Sequence, residues 1–478
     1  MNLKIKIPGF LTNLKTVFWA IIILGLIIRL YKINTPLLDW HSFRQVDTAS
    51  VSRYFLRDGI NMLEPRYHDI SRVQSGLFNP EGYRFVEFPI YNAIHSITYK
   101  IFPILSFDAV GRLVSIVFAL LSSVFLYKIS TFYFGKNVGI LSMFLYLTLP
   151  FNIFFTRVIL PEPLAVMLGL SGLWFFIKYS KEEKLSSLFI FSILMSAAIL
   201  VKPYLVFYNI YPVYFFLKKY GYKKVMFKKE IIASLLIIFL PFIFWRLWIA
   251  RHPEGIPFWK WTLNGDGVRF KPAFWYWIFG ERIGKLILGV WGIYPFMIGS
   301  LNNRKNPFLI SFILGIFLYL SVIATANVRH DYYQTLIVPV ISIVLALGVQ
   351  KMFEDSKKIK YGIFLPLGIM GMMFLISAFQ VKEYYKINHP EIINAGLAVE
   401  RLTPEDALVI ASYNGDTAFL YHTARRGWPV VELPIEELIK EGAQFFTSVN
   451  LNDSQTIEFM KKFQILEKTD SYVVLKLQ

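Results

Sequence analysis

Residues 39–49 read Asp39-Trp40-His41-Ser42-Phe43-Arg44-Gln45-Val46-Asp47-Thr48-Ala49. They follow closely on residues 16–33, an almost wholly aliphatic run. The abrupt change from aliphatic to ionisable side chains is what a chain shows where it leaves a membrane. Ionisable groups beside a span are costly, so their concentration there signals function before structure. The competing reading is a solvated interfacial helix with an internal Arg44–Asp47 ion pair, since residues three apart on a helix are neighbours.

Composition supports the membrane. Of the 478 residues, 55% are hydrophobic and only 17% charged, where soluble domains carry about 25% charged residues. The net charge is +18, but the lysines cluster in short loops between apolar runs. That is the positive-inside pattern and argues against a nucleic-acid partner. There is no cysteine, which excludes disulfides, thiol catalysis and Cys-ligated metal.

Apolar runs long enough to span, about 20 residues each, are read at 16–33, 109–128, 138–155, 163–179, 186–201, 203–217, 231–250, 284–301, 307–326, 333–350 and 361–381. The first is read as an uncleaved span, because Arg29, Tyr31 and Lys32 follow its apolar part, Val17 to Ile28, in place of a small-residue cleavage site. The fold class expected is therefore a polytopic α-helical membrane protein of about eleven transmembrane helices, with a small C-terminal soluble α/β domain. Loop charge orients it. Lys178 to Lys184, Lys218 to Lys229, Arg304-Lys305 and Lys351 to Lys360 all fall on one side. With a cytoplasmic N-terminus in the cell membrane, that side is the inner one. The outer side then receives loop 34–108, Arg157 to Glu162, loop 251–283, the turn at Arg329 and the C-terminal tail. The domains expected are 1–381, transmembrane with the active site on loop 34–108, and 388–478, an extracytoplasmic α/β domain.

Within loop 34–108, Ser42-Phe43-Arg44-Gln45 reads as a capping box, starting a helix that stops at Gly59. A second helix is expected from Pro89 to Phe102. Residues 388–478 alternate helix-like and strand-like runs without a Gly-rich phosphate loop.

Besides the opening stretch, with Asp39, His41, Arg44 and Asp47, four clusters could carry chemistry on the outer side. Glu87-Phe88-Pro89-Ile90-Tyr91 and Arg157 to Glu162-Pro163 each place a Glu before an apolar helix, which helix-start stabilisation alone would explain. Lys202-Pro203 interrupts an apolar run, and that lysine either snorkels or pairs with a phosphate. Arg329-His330-Asp331-Tyr332-Tyr333 opens a late span, where tyrosines also form the ordinary aromatic belt. The seven histidines are scattered and show no metal-ligand spacing. There is no Walker loop and no Gly-x-Ser-x-Gly, which disfavours an ATP-driven pump and a serine hydrolase. No cofactor is required, and a divalent metal has no support. A carboxylate at the membrane face can act as base toward an acceptor hydroxyl. Arg44, Arg157, Lys202 and Arg329 can receive a phosphate leaving group.

These elements, in this order and on one side, resemble the GT-C superfamily of polytopic glycosyltransferases, in its branch of protein O-mannosyltransferases and bacterial aminoarabinose transferases of lipid A. The resemblance covers roughly residues 16–350. It rests on Arg29, the acidic first outer loop, Glu87-x-Pro89, Arg157 to Glu162-Pro163 and the Arg329 to Tyr333 turn. The His-Ser-Phe-Arg-Gln-Val-Asp-Thr-Ala run is similar to a bacterial subgroup with His-Ser-Trp-Arg-Gln-type loops. The resemblance implies a GT-C fold and transfer of one sugar from a polyprenyl-phosphate donor to a glycan, lipid or protein acceptor, with a first-loop Asp as base. Asp47 is favoured, within the helix register and beside Arg44, and Asp39 is the alternative. Glu162 matches the family's second acidic position and Glu87 its Glu before Pro. Phe88 stands where the family has a basic residue, so phosphate binding falls to Arg157 or Arg329. The competing classes are a transporter or flippase of lipid-linked sugars, and a non-catalytic binder of them. The first predicts repeat symmetry and broken helices at the midplane, and no internal repeat is seen.

Overall fold

The computed structural model describes residues 13–478, so most of the basic N-terminal stretch lies outside the described residues. The helices used below are α1 (Leu14–Arg29), α2 (Ser42–Asp58), α3 (Ile90–Ile101), α4 (Phe107–Phe134), α5 (Lys136–Thr148), α6 (Pro150–Phe155), α7 (Glu162–Glu182), α8 (Leu185–Val201), α9 (Ile210–Lys224), α10 (Lys229–Ile249), α11 (Ile293–Asn302), α12 (Pro307–Val322), α13 (Val338–Ser356), α14 (Phe364–Val381), α15 (Glu391–Leu402) and α16 (Ser454–Lys462). Each expected span meets helix. Among the described residues, four helices are long and apolar enough to cross a bilayer: α4, α7, α10 and α14 with its short extension to Tyr385.

Two of the other apolar runs are broken at prolines. The residue before a proline is pushed out of helical geometry. Leu149 before Pro150 has ψ 121° and separates α5 from α6. Lys202 before Pro203 is extended (φ −142°, ψ 106°) and ends α8. The most hydrophobic segment of α10 is only 22% buried, against 72% for that of α7. An apolar helix with most of its surface uncovered by protein is one suited to lipid.

Contacts divide the chain into two compact units. The helical unit comprises the described residues up to Ile33, Ser115–Phe242 and Trp259–Glu383. In it α11 and α13 cross closely enough that a Cβ on Gly348 would lie 1.7 Å from the Pro295 carbonyl oxygen, and one on Gly299 2.0 Å from that of Val344. Arg29, fully buried at the end of α1, donates to Thr156 Oγ1 (2.9 Å) and to the carbonyls of Leu147 (2.8 Å) and Gly25 (3.0 Å).

The mixed unit comprises Asn34–Val114, Ile243–Phe258 and Tyr384–Gln478. Its five-stranded sheet uses β1 (Leu408–Ser412), β2 (Arg426–Trp428), β3 (Phe445–Ser448), β4 (Gln464–Lys468) and β5 (Val473–Lys476), in the order β2-β1-β3-β5-β4. The pairs β2–β1 and β1–β3 are parallel, and β3–β5 and β5–β4 antiparallel. Loop residues add to this sheet. Asp69 bridges Gly427 on the β2 edge, Ile70 N donates to the Gly427 carbonyl at 2.9 Å, and Gly427 N donates to that of His68 at 3.0 Å. Ile70 is buried with Ile410, Trp428 and Phe446 in the core of the sheet. Arg72 then clamps Glu432 (3.1 Å) and Glu441 (2.6 Å). The contacts therefore do not divide at 381–388, because the loop after α1 is built into the C-terminal sheet.

Helix α2 ends at Gly59 (φ 90°) as expected, but the capping box is not formed. His41, left-handed at φ 57°, is the N-cap, and no side chain caps the helix. Gln45 instead turns back to donate to Asp39 Oδ1 (2.6 Å) and the Trp40 carbonyl (3.0 Å). Residues 44–52 are buried on every side of the helix, so α2 is an internal element and not a solvated interfacial one. Helix α3 forms as expected and is inverted. Tyr91, Asn92, His95 and Ser96 are buried, while Ile97, Ile101 and the following Phe102 and Ile104 are exposed. That pattern suits a helix at a membrane interface.

Candidate active site

The candidate groups of the mixed unit sit on α2, α3 and the strand-like run between them. Asn92 joins the two helices by donating to the Thr48 carbonyl (2.6 Å) and Ser52 Oγ (3.3 Å). With α2 held on α3, Arg44 pairs with Glu87. Asp47 takes a different cation, with Oδ2 2.5 Å from Arg84 Nη2 and Oδ1 accepting from Thr417 Oγ1 at 2.7 Å. Arg44, Asp47, Arg84 and Glu87 line one narrow cleft. Asp39, 4% exposed, accepts from Gln45, and its Oδ2 lies 3.7 Å from Arg112 Nη2. Arg112 is itself fully buried and donates to the Thr35 carbonyl. The ring of Trp40 stacks on Tyr384 with centroids 5.0 Å apart. The half-buried His41 ring lies against Trp40 and Phe43. Three acidic residues thus each stand against an arginine in surroundings dry enough to make an unpaired charge expensive. Tyr91 is buried and donates to the Gly111 carbonyl (2.8 Å), which ties α3 to α4.

Behind Asp47 lies a second polar layer. Tyr67 donates to Asp69 at 3.2 Å, and Arg84 lies over the Tyr67 ring. Burial pushes the Asp69 carboxyl up to about 6, against hydrogen bonds from Ser71 that pull it down. His68 bonds Ser50 Oγ (2.6 Å) and the Thr417 carbonyl (3.1 Å), and burial lowers its pKa to about 3. His68 is a neutral ring fixed in one orientation.

The helical unit holds the other candidates. Glu162, fully buried, occupies the first turn of α7, and Lys202 is carried on the extended residue before Pro203. Lys202 Nζ lies 2.7 Å from Glu162 Oε1. The same ammonium lies 5.8 Å from the Tyr333 ring centroid. Arg157 is fully buried and donates to the Lys32 carbonyl at 3.0 Å. The turn 331–336 is a short 3₁₀ helix in which Asp331, Tyr332 and Tyr333 are buried. Asp331 lies 3.5 Å from Arg282, and the rings of His330, Tyr332 and Tyr333 stack. Arg329 is different. Its side chain is 56% exposed and pairs with the exposed Asp266 at 3.3 Å, with Trp261 beneath it.

The expected i, i+3 pairing of Arg44 with Asp47 is therefore replaced by Arg44–Glu87 and Asp47–Arg84. Sequence reading missed Arg84, Arg112, Asp69 and Thr417. Arg112 had a usable signal, since it lies inside the span read at 109–128, where any arginine is a functional candidate. Arg84, between Tyr83 and Phe85, has the apolar–polar alternation of an ordinary strand. Thr417 had no local signal. Among the described residues no three His, Asp or Glu gather as metal ligands.

The sequence of residues 87–248 matches a family described as dolichyl-phosphate-mannose-protein mannosyltransferase. No curated protein sequence matches the chain. Among solved structures, ArnT from Cupriavidus metallidurans bound to undecaprenyl phosphate superposes with TM-score 0.68 at 12% identity, over 96% of this chain and 97% of that one. The Archaeoglobus fulgidus oligosaccharyltransferase superposes with TM-score 0.60 at 11% identity, over 90% of this chain and 68% of that one. The oligosaccharyltransferase AglB of the same organism, in complex with an inhibitory peptide and a dolichol-phosphate, gives TM-score 0.56 at 10% identity, over 96% and 74%. At such identities the likeness is one of fold, and the family sequence lies on α3 to α10, around Glu87, Arg157, Glu162 and Lys202. The chain therefore shares the fold of these membrane glycosyltransferases, and its residues 87–248 are similar in sequence to the protein mannosyltransferase family.

Proposed function

We propose that the chain is a glycosyltransferase that moves one sugar from a polyprenyl-phosphate donor to an acceptor at the outer face of the cell membrane, with a cytoplasmic N-terminus. The observation that supports it best is the burial of Asp39, Asp47 and Glu87, each against an arginine, on the segment that follows the first span. Of the two aspartates, Asp47 lies within the α2 register and is held by Arg84 and Thr417. A carboxylate oxygen keeps a second lone pair beside one hydrogen bond, so Asp47 can take the acceptor proton and has that role in this reading, with Asp39 as the alternative.

In the reaction Asp47, or Asp39 in its place, accepts the proton of an acceptor hydroxyl. The acceptor oxygen bonds to the anomeric carbon, and the bond from that carbon to the phosphate oxygen breaks. The electron pair leaves with the polyprenyl phosphate. Cations stabilise that leaving group. In the unit that carries the aspartates, Arg44 on α2, paired with Glu87, is such a cation. No metal is invoked.

Membranes carrying the chain are incubated with polyprenyl-phosphate hexoses and pentoses, and mass spectrometry reads the donor consumed. One donor is expected to be consumed, with release of polyprenyl phosphate. Asp47→Asn is expected to lower turnover by about 10²–10⁴-fold while the donor still binds. Full turnover in Asp47→Asn would move the role to Asp39, and full turnover in both Asp47→Asn and Asp39→Asn would remove the proposed base. Consumption of no donor would remove the enzyme reading, and donor retained without turnover would favour a binder or flippase.

A further inference from the structure

Strands β1 and β3 are parallel neighbours that end side by side, with Ser412 paired to Ser448. From there the chain turns opposite ways. After β1 it goes to β2 on one edge, and after β3 to β4 and β5 on the other. Loops that part in this way leave a crevice at the carboxyl ends of the strands, the usual ligand position of such sheets. A crevice of about 500 Å³ is present here, open to solvent. It is within the size range of small-molecule sites. It lies wholly in the mixed unit and shares no residue with the candidate active site.

Its lining is unusually polar for a pocket. Tyr413, Asn414, Asn450 and Gln455 present a phenol and three side-chain amides, with Ser412 at the strand end. Among the described residues none of these side chains has a hydrogen-bond partner, so their donors and acceptors are available to a ligand. Amides offer donor and acceptor together, which matches the paired roles of a sugar hydroxyl. The half-buried Tyr413 ring, with the His389 ring 5.5 Å away, adds a flat surface for the C–H face of a pyranose.

Charge narrows the class. The helices α15 and α16 start at this crevice, and helix N-termini attract anions. Here each is already occupied by a carboxylate. Glu391 opens α15 and accepts from His389 at 2.9 Å, and Asp453 caps α16 by accepting from Thr456 N at 3.1 Å. A phosphate or uronate would meet those charges.

We propose that this crevice binds a neutral saccharide. In the reading given above that saccharide is part of the acceptor; only this assignment of role depends on that reading, while binding itself does not.

The test uses purified full-length protein in nanodiscs, titrated calorimetrically with chitotetraose, mannotetraose and tetragalacturonate. At least one neutral tetrasaccharide is expected to bind, and tetragalacturonate is not. Tyr413→Ala and the double variant Asn450→Ala/Gln455→Ala are each expected to weaken that binding about tenfold with an unchanged melting temperature and unchanged binding of the polyprenyl-phosphate donor. Absence of binding by both neutral probes, equal binding of tetragalacturonate, or binding indifferent to both variants would overturn the proposal. Donor consumption without saccharide binding would sink this inference alone, and saccharide binding without donor consumption would sink the transferase reading alone.

Discussion

Asp47 and Arg84 are buried, 2.5 Å apart, and Arg84 also lies near Asp69. A buried charge that loses its partner is costlier than the pair is valuable, with breakage costing about 3–5 kcal/mol. Arg84→Ala should therefore lower the melting temperature sharply, and Arg84→Ala/Asp47→Asn should recover much of the loss. Thermal denaturation of the purified protein reads both. A wild-type melting curve for Arg84→Ala would mean that the pair holds nothing. Half of this pairing was legible beforehand. Asp47 stood out because it lies beside a span, and Glu162 because it precedes a proline. Their partners are Arg84 and Lys202, 37 and 40 residues on in the chain, and only the folded chain brings them to the carboxylates. Local spacing suggested Arg44 for Asp47, and it was wrong because Glu87 competes for that guanidinium once α2 lies on α3.

Apolar periodicity placed the helices well, since each expected span coincides with helix. It placed their ends less well, because the ends are set by backbone geometry and not by hydrophobicity. Lys202 and Leu149 show this, as each takes extended geometry before a proline. The capping box failed for a related reason. A Ser followed three residues later by Gln meets the pattern, but the N-cap is His41, one residue earlier, and Gln45 donates instead to Asp39 and the Trp40 carbonyl. Helix crossings are not visible in a hydropathy pattern at all. At the crossing of α11 and α13, a Cβ on Gly348 would fall 1.7 Å from the Pro295 carbonyl oxygen. Neither backbone can yield without moving its helix. Gly348→Ala should cost at least the ~1–3 kcal/mol of core overpacking and reduce the monodisperse fraction after detergent extraction. Gly371→Ala in α14, where nothing lies within 4 Å of the added Cβ, is the matched control. It should be neutral or slightly stabilising, as alanine favours helix. Equal yields from the two variants would mean that the crossing tolerates a separation the packing does not suggest.

The class of molecule was readable from composition and loop charge, but the building of loop 34–114 into the C-terminal sheet was not. A single sequence gives no sign that Ile70 completes a core some 340 residues later in the chain. That shared construction buries titratable groups of the mixed unit with opposite pH signs. His422 is lowered to about 4 by burial and by Arg53, against Asp108 and a bond from its ring to the Leu37 carbonyl. Its ordinary value is about 6.5. Below that the unfolded chain takes up a proton that the folded chain refuses until about pH 4. Its contribution to stability is therefore full above pH 6.5 and is lost on acidification. Asp416 is raised to about 6 by burial and by Asp47, against a bond from Ala418 N. Between about pH 4 and 6 the folded chain keeps a proton that the unfolded chain has released, so its contribution is present in acid and lost as pH rises through that window. On a shift from pH 7 to pH 5, His422→Gln should thus lose less stability than the parent and Asp416→Asn should lose more, each by on the order of 1 kcal/mol. Gln and Asn keep most of the volume, so the differences report titration and not packing. Melting temperatures of the three proteins at pH 7 and pH 5 measure them. Shifts of the same sign in both variants would mean that these two groups do not set the acid response of the unit.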